Sequence, residues 1–526
     1  MTGCLSSASY DVIIIGAGIN GAGVARDAAM RGLKVLLIDK GDIASGTSSW
    51  STRLIHGGLR YLEHFELGLV RESLRERETL LRIAPHLVRP LQLVVPIYRN
   101  RSRGSLSIRA GLIAYDILSA RQSLPKHRML SRSDTVKLLP SLNDSSLVSG
   151  AVFYDCQVEF AERLVLENVL AAKNDGVDVL TYTRATRIDA DGVEFVRNDS
   201  DTPEFVNSIV TINAAGPWID SVLSHAGVPG QRLIGGTRGT HIVVSSFAGA
   251  PTSAIYVEAE SDQRPFFVIP WHNQFLIGTT DVRFEGDPDQ VRGESWEVDY
   301  LLNETNNLFP DAKLGREDVC YSYSGVRPLA FTNNTDEQSI TRRHFIREHQ
   351  QHPNLLSIVG GKLTTYRSLS EECVDLIFKK LNKAMPPCRT QEIKLPGAIS
   401  RSFGEEEEVI RSWPTVVRDR LTTIYGTRIG ELANLCLTKP ELSLPFTKNC
   451  DAIAAEVIFS FQSESATTLA DCLLRRTMLG LNCDQGLGDV AAAALIAQTA
   501  FGWSDQRVEE EVSKYRGVVS GMAVPR

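Results

Sequence analysis

No stretch of the chain approaches the roughly 18 consecutive apolar residues of a membrane-spanning helix, so nothing in it reads as a transmembrane segment. The first nine residues have no basic start, no apolar core and no cleavage pattern of a secretory leader, which predicts a protein kept in the cytosol. Cysteine is scarce and scattered: Cys4, Cys156, Cys320, Cys373, Cys388, Cys436, Cys450, Cys472 and Cys483 never form a C-x-x-C pair. That pattern excludes a zinc ribbon, shows no disulfide framework and predicts free thiols in a reducing compartment; no metal is expected. A basic excess is missing too, since 56 Lys and Arg face 63 Asp and Glu for a net charge of −7, which argues against nucleic-acid binding. What is present is an ordinary globular balance, 43% hydrophobic and 23% charged over 526 residues, enough for about three domains.

Along the chain, a β-branched run at residues 10–15, a helical pattern at 20–31 and a second apolar run at 33–38 make a βαβ unit. Residues 67–83 alternate charges over leucine at helical spacing and read as a surface helix stopped by Pro85. Between Arg99 and Lys137, nine basic residues face only Asp116 and Asp134, a local excess of seven. Within that block, residues 106–118 form an apolar helix that is either buried or set into something greasy. Strand-like runs at 177–183, 186–188 and 208–212 are followed by runs at 234–245, 254–258, 265–270 and 274–280 that suggest an antiparallel sheet. A buried strand at 355–359 and a helix at 369–382 precede the Pro386-Pro387 break, after which the chain reads as helical.

Gly16-Ala-Gly-Ile-Asn-Gly21 follows the first strand and opens the helix. Gly16 permits the tight turn, Gly18 lets the backbone approach a pyrophosphate, and Gly21 lets helix and strand pack closely. Asp39, at the end of the second strand, suits ribose hydroxyls and disfavours a 2′-phosphate. The glycine motif alone does not separate FAD from NAD. The small, hydroxylated stretch Gly46-Thr-Ser-Ser-Trp-Ser-Thr-Arg-Leu-Ile-His-Gly-Gly-Leu-Arg-Tyr61 can wrap a long cofactor.

The motifs GAGINGAG from Gly16, LIHGGLRYLEH from Leu54, NAAGPW from Asn213, GTTD from Gly278, SGVRPL from Ser324 and GGKLTTYR from Gly360 occur in one order. In this the chain resembles the FAD-dependent glycerol-3-phosphate dehydrogenases, a branch of the glycine/D-amino-acid oxidase superfamily. The resemblance implies an α/β and α+β fold: a Rossmann-like FAD-binding domain, an antiparallel-sheet substrate domain and a helical C-terminal domain. The first would be discontinuous (9–95, 145–230 and 340–385), with a basic membrane-facing segment at 96–144, a substrate-binding domain at 231–339 and the helical domain at 390–526. It implies oxidation of sn-glycerol 3-phosphate to dihydroxyacetone phosphate by hydride transfer to flavin N5, with electrons passed to a quinone. It also implies peripheral attachment to the cytoplasmic face of an anionic membrane, against the alternative of a plain solvated basic face; a homodimer stays open.

For FAD the resemblance implies contacts from Gly16, Gly18, Ile19, Asn20, Gly21, Asp39 and Lys40, and from Thr47, Ser48, Ser49, Leu54, His56, Gly57 and Gly58. Further contacts fall to Ala185, Ala215, Gly216 and Trp218, and to Gly361, Lys362, Leu363, Thr364 and Thr365. A phosphate dianion needs guanidinium forks, and Arg60, Arg327 and Arg342 match the family's substrate-holding arginines, with Arg343 able to replace Arg342. Alcohol oxidation needs a base; His241 is favoured and His56 is the other candidate. Tyr61 orients substrate, and Lys362 supplies a cation where charge develops on the flavin and contacts substrate as well.

Two other readings stay open. An oxidase would use the same substrate half-site and return electrons to oxygen. A non-catalytic dinucleotide-binding sensor would have no use for Arg60, His241, Arg327 and Lys362. The fold alone also allows an amino-acid oxidase, which would need one carboxylate-binding arginine and not a phosphate cluster.

Overall fold

The computed structural model describes residues 9–63, 65–99, 101–120, 122–200, 202–228, 230, 232–332, 342–447 and 450–525. Cys4, His64, Arg121 and residues 333–339 of the expected substrate domain lie outside them.

Two sheets organise the described residues. The first, of eight strands, runs Phe345–His349, His352–Val359, Glu204–Asn213, Ser9–Ile15, Val35–Ile38, Asp178–Leu180, with the hairpin Thr183–Ile188 and Gly192–Arg197 paired on Glu204–Asn213. Its four central pairings are parallel. Val12 to Ile14, Leu36, Leu37 and Ile212 are fully buried, as parallel strands covered on both faces require. Helices Ile19–Met30, Ala161–Asn174 and Tyr366–Leu381 pack against one another beside it. The strands Ser9–Ile15, Val35–Ile38, Glu204–Asn213 and His352–Val359 all run toward one edge, so Gly16, Asp39, Ala214 and Gly360 follow their carboxyl ends, the usual ligand position in such sheets.

The second sheet has ten strands and is antiparallel except where Ala254–Glu258 meets Val88–Tyr98. It corrects the expected partition of the chain. Residues 88–95 and 147–158 fall in the spans expected for the cofactor domain and 96–98 in the basic segment, yet Val88–Tyr98 and Leu147–Val158 pair with each other along eleven positions inside this second sheet. Their apolar residues supply half of a two-sided core, and the partner for that half lies some 60 residues away, beyond the reach of a local pattern. A second correction concerns helix Leu67–Ile83, which keeps its expected bounds but not its surface character. Glu76 and Arg77 are buried, the first paired with Arg367 at 2.7 Å and the second with Asp155 at 2.5 Å.

The C-terminal part is helical from Glu406–Ser412 to Asp505–Ser520. It is anchored beside the loop that follows Val35–Ile38: the buried Asp42 carboxylate accepts from Arg475 at 2.6 Å and from Arg476 at 2.8 and 2.9 Å. Buried Glu464 holds Arg163 at 2.6 and 2.8 Å and Arg428 at 2.5 Å. Cys320 and Cys483 form a disulfide across the same junction, which corrects the expectation that every cysteine is a free thiol. Sequence spacing has no access to this pair, because its members are 163 residues apart.

Helix Ser105–Leu118 divides between the two alternatives offered for it. Ile108, Leu112 and Tyr115 are buried, while Leu106 is 83% and Ile117 69% exposed and Ile113 is exposed as well. Phe65, 86% exposed, and Leu67 are exposed in the preceding segment. Part of the local basic excess is neutralised by acids from elsewhere: Arg103 by Glu63 and Glu258, Arg132 by Asp144 at 2.6 Å. No helix among the described residues is long and apolar enough to cross a membrane.

Candidate active site

Two cavities adjoin one another through Thr47, Ser51, Pro328, Gly361, Lys362 and Leu363, which line both. The larger, of about 600 Å³, lies at the carboxyl ends of the parallel strands. Gly16 has φ +110°, and a Cβ there would lie 2.7 Å from the Ala214 carbonyl oxygen; a Cβ on Gly21 would meet the Gly16 oxygen at 1.8 Å. The glycines therefore let strand, loop and helix close up under the cavity. The first turn of helix Ile19–Met30 borders the cavity at Gly18, Ile19 and Asn20, with the positive end of its dipole there, and Ser48 Oγ accepts from the Ile19 amide at 3.0 Å. Asp39 braces the loop by accepting from Ala17 at 2.6 Å and Gly41 at 2.8 Å. Lys40 pairs with Asp289 at 2.6 Å and stands 4.5 Å over the Trp218 ring.

Of the expected cofactor contacts, Gly16, Gly18, Ile19, Asn20, Asp39 and Lys40 line this cavity, as do Thr47 and Ser48. So do Ala185, Ala215, Gly216, Trp218, Gly361, Lys362 and Leu363. Leu54, His56, Gly58 and Thr364 line the adjoining one. Four others sit behind the walls. Gly21 packs under Gly16, Ser49 donates to the Ala44 carbonyl at 2.6 Å, the Gly57 amide turns to Tyr115 and Asp155, and Thr365 is buried where helix Tyr366–Leu381 begins. Two buried polar atoms of residues that line this cavity, Asn20 Oδ1 and Trp218 Nε1, have no hydrogen-bond partner among the described residues. A helix N-terminus at the cavity edge, paired glycines and unmatched polar atoms fit an anionic, polar-edged dinucleotide.

The second cavity, of about 310 Å³, collects the expected substrate residues: Arg60, Tyr61, His241, Arg327, Arg342 and Lys362. Sheet register explains the meeting of two of them. His241 lies opposite Tyr323 and Thr237 opposite Arg327 on the neighbouring strand, so His241 and Arg327 share one face, two positions apart along each strand's alternation. Glycine makes the room. A Cβ on Gly239 would meet the Arg327 guanidinium at 2.2 Å, and one on Gly278 the His241 ring at 2.5 Å. Lys362 arrives from the other sheet, behind Gly360 and Gly361 at φ +80° and +100°. Arg343 lines a separate outer groove, so Arg342 is the member of the adjacent pair that faces this cavity.

Burial sets the protonation states. His241 is buried, and burial together with the charges of Arg327 and Arg53 holds its pKa well below the usual histidine value. It is thus neutral, stacked on Tyr323 at 4.9 Å, with Nε2 2.9 Å from the Thr52 hydroxyl. His56 is pushed down to about 4, first by burial. Burial lowers Lys362 to about 7, with Glu66 and Glu72 opposing and Arg342 adding to the fall. Its Nζ lies 3.9 Å above the Tyr61 ring centroid and 3.3 Å from Ser73 Oγ. Sequence reasoning missed Thr52, the partner of His241, and Asp281, which binds Arg327 at 2.9 Å and Arg342 at 3.0 Å. Asp281 stood inside the GTTD motif, but nothing local identified its partners.

A parallel dinucleotide-type sheet whose ligand cavity opens onto a second cavity carrying a neutral histidine and a low-pKa lysine is the architecture of a nucleotide-dependent redox enzyme. Residues 11–367 match the family model described as FAD dependent oxidoreductase, and residues 388–508 match that of the C-terminal domain of alpha-glycerophosphate oxidase. The chain belongs to the FAD-dependent oxidoreductase family, and FAD is its cofactor. It is 44% identical to a glycerol-3-phosphate dehydrogenase of Synechocystis sp., over 99% of this chain and 98% of that one. It is 31% identical to an aerobic glycerol-3-phosphate dehydrogenase of Staphylococcus aureus, covering 90% and 87%. Among solved structures, the glycerol-3-phosphate dehydrogenase from Bacillus halodurans complexed with FAD matches with a TM-score of 0.80 and 27% identity, covering 99% of this chain and 96% of that one.

Proposed function

We propose that this chain oxidises sn-glycerol 3-phosphate to dihydroxyacetone phosphate and passes the electrons to a quinone. The observation that carries the reading is the convergence of Arg60, Arg327 and Arg342 with His241 and Lys362 in one cavity adjoining the dinucleotide cavity. Three guanidiniums suit a phosphate dianion; one would serve an amino-acid carboxylate. The named relatives, including the dehydrogenases of Synechocystis sp. and Staphylococcus aureus, support the same substrate.

Bound FAD supplies the hydride acceptor. The chain's own contribution is to hold the phosphate end with arginine, exclude bulk water, and take the hydroxyl proton. Neutral His241 is the base, oriented by Thr52 and by stacking on Tyr323. Half-buried His56 is neutral as well, but its neighbour Gly57 is tied into the Asp155–Tyr115 cluster. Protonated Lys362 supplies a cation at the junction of the two cavities, where negative charge accumulates during reduction.

Exposed Phe65, Leu67, Leu106, Ile113 and Ile117 support peripheral attachment to the cytoplasmic face of a membrane, where a quinone is at hand. Anaerobic titration of the FAD-loaded protein with glycerol 3-phosphate should bleach the flavin, and added quinone should restore its colour faster than oxygen does. Absence of bleaching refutes the substrate. Faster recovery with oxygen selects the oxidase reading, which the likeness of residues 388–508 to an oxidase domain favours.

A further inference from the structure

The GTTD segment lies in the catalytic cavity, and neither hydride transfer nor proton removal uses it. Its last residue, Asp281, gives each carboxylate oxygen to a different arginine: Arg327 to Oδ1 at 2.9 Å and Arg342 to Oδ2 at 3.0 Å. Those arginines come from separate elements, Arg327 ending strand Val319–Arg327 and Arg342 preceding strand Phe345–His349. Arg327 Nη2 also donates into the segment, to Thr279 Oγ1 at 3.0 Å and the Thr280 carbonyl at 3.2 Å, while Nη1 reaches Thr237 Oγ1 at 3.4 Å on the neighbouring strand. The segment is itself fixed. Thr280 Oγ1 accepts from the Thr240 amide at 2.9 Å and donates to buried Glu297 at 2.6 Å, while the Asp281 carbonyl accepts from Arg264 at 2.8 Å.

Asp281 is unsuited to proton transfer. Burial raises its carboxyl pKa, but the charges of Arg327 and Arg342 outweigh burial and hold it below the usual range. A metal role lacks partners, since the described residues contain no cluster of three or more metal-ligating side chains. What the geometry supplies is a fixed anion between two cations. Two guanidiniums close enough to share one phosphate repel each other, and the cost grows where water is excluded. A carboxylate shared between them offsets that repulsion and sets their separation before any ligand arrives.

We infer that Asp281 is the positioning residue of the anion subsite: it sets the spacing of Arg327 and Arg342, so that the two receive a phosphate dianion as a pair. The inference rests on the reading that this arginine cluster takes a phosphate.

The test is Asp281→Asn in the full-length, FAD-loaded protein, because the amide keeps the shape and turns one acceptor toward Arg327 or Arg342 into a donor. The KM for glycerol 3-phosphate should rise about tenfold or more, the range for a lost hydrogen bond between charged groups, and kcat should fall by less. The Kd of inorganic phosphate, read from the flavin absorbance of the oxidised protein, should rise in parallel. The kcat/KM for glycerol 3-phosphate should drop at least ten times more than that for glycerol, a split that general loosening of the fold does not produce. In an Arg342→Ala background, Asp281→Asn should add less than about threefold to the loss of phosphate affinity. Unchanged KM and phosphate Kd, or equal losses for both substrates, would overturn the inference. Should the asparagine variant not load FAD, Asp281→Glu, which keeps the charge but displaces it by one methylene, must still weaken phosphate binding, and wild-type affinity there overturns it equally. Phosphate binding that depends on Asp281 without bleaching by glycerol 3-phosphate would refute the substrate and leave the subsite standing; bleaching with phosphate binding indifferent to Asp281 would do the reverse.

Discussion

Lys362 offers the sharpest test of how the site works, because its titration falls within an accessible pH range. With a pKa of about 7 in the free protein, it is roughly nine-tenths protonated at pH 6, half at pH 7 and one-tenth at pH 8. If the protonated form is the active one, kcat/KM for anaerobic flavin reduction should fall about tenfold per pH unit above pH 7, while the substrate's own second phosphate ionisation, at about pH 6, sets the acid limb. The other titrating groups do not mask this limb. His241 and His56 are both depressed by burial and are already neutral above pH 6, so they add no rising limb there. Tyr61 is raised by burial, against the pull of Arg342 and Arg60, and stays protonated. A bound phosphate dianion favours the charged lysine, so the limb in kcat should lie at higher pH than the limb in kcat/KM. Lys362→Met should slow reduction across the range and flatten the profile; Lys362→Arg, which keeps its charge past pH 12, should flatten the profile with less loss of rate. Stopped-flow reduction of Lys362→Met at the wild-type rate, or an unmoved limb in that variant, would refute the reasoning.

Three further outcomes follow from packing and charge. Arg53→Met should cost about 3–5 kcal/mol in urea unfolding, because it leaves Glu162, 1% exposed at its side chain and paired with Arg53 at 2.7 Å, as a buried charge without a cation; a loss under about 1 kcal/mol contradicts that account. Reducing or deleting the Cys320–Cys483 bridge, as in Cys483→Ser, should lower the Tm, with chain entropy over 163 residues setting a ceiling of about 5 kcal/mol; identical melting with and without reductant argues against a stabilising bridge. Ile117→Glu should weaken binding to phosphatidylglycerol vesicles about tenfold or more, since burying an isoleucine side chain is worth roughly 1.5–3 kcal/mol; unchanged co-sedimentation would remove helix Ser105–Leu118 from any membrane contact.

What the sequence disclosed was what is chemically local. The turn at Gly16, the helix start at Gly18 and the acid at Asp39 belong to one βαβ unit, and their joint purpose is written in their spacing. Arg60, Arg327 and Lys362 were legible through longer motifs, and they line one cavity with His241 and Arg342. Illegible were the pairings that cross the chain. Glu76 and Arg77 look like surface charges in a helical pattern because nothing nearby announces Arg367 or Asp155. Val88–Tyr98 and Leu147–Val158 find each other across a long connection, and the Cys320–Cys483 pair is more distant still.

The same distinction explains how the site is built. The dinucleotide cavity arises wherever parallel strands end together, so short motifs placed after each strand suffice to specify it. The substrate cavity depends on register between antiparallel strands. His241 and Arg327 share a face only because Thr237–Val244 pairs with Val319–Arg327 as it does, and glycine at 239 and 278 leaves the space their side chains fill. A one-residue slip in that pairing would turn His241 or Arg327 to the opposite face. The contacts of the GTTD segment with Arg327 and with the Thr240 amide oppose such a slip, because they tie both strands to a third element. Substrate geometry in this fold is therefore a property of strand register, held by Thr280 and Asp281 as much as by the residues that would touch the substrate.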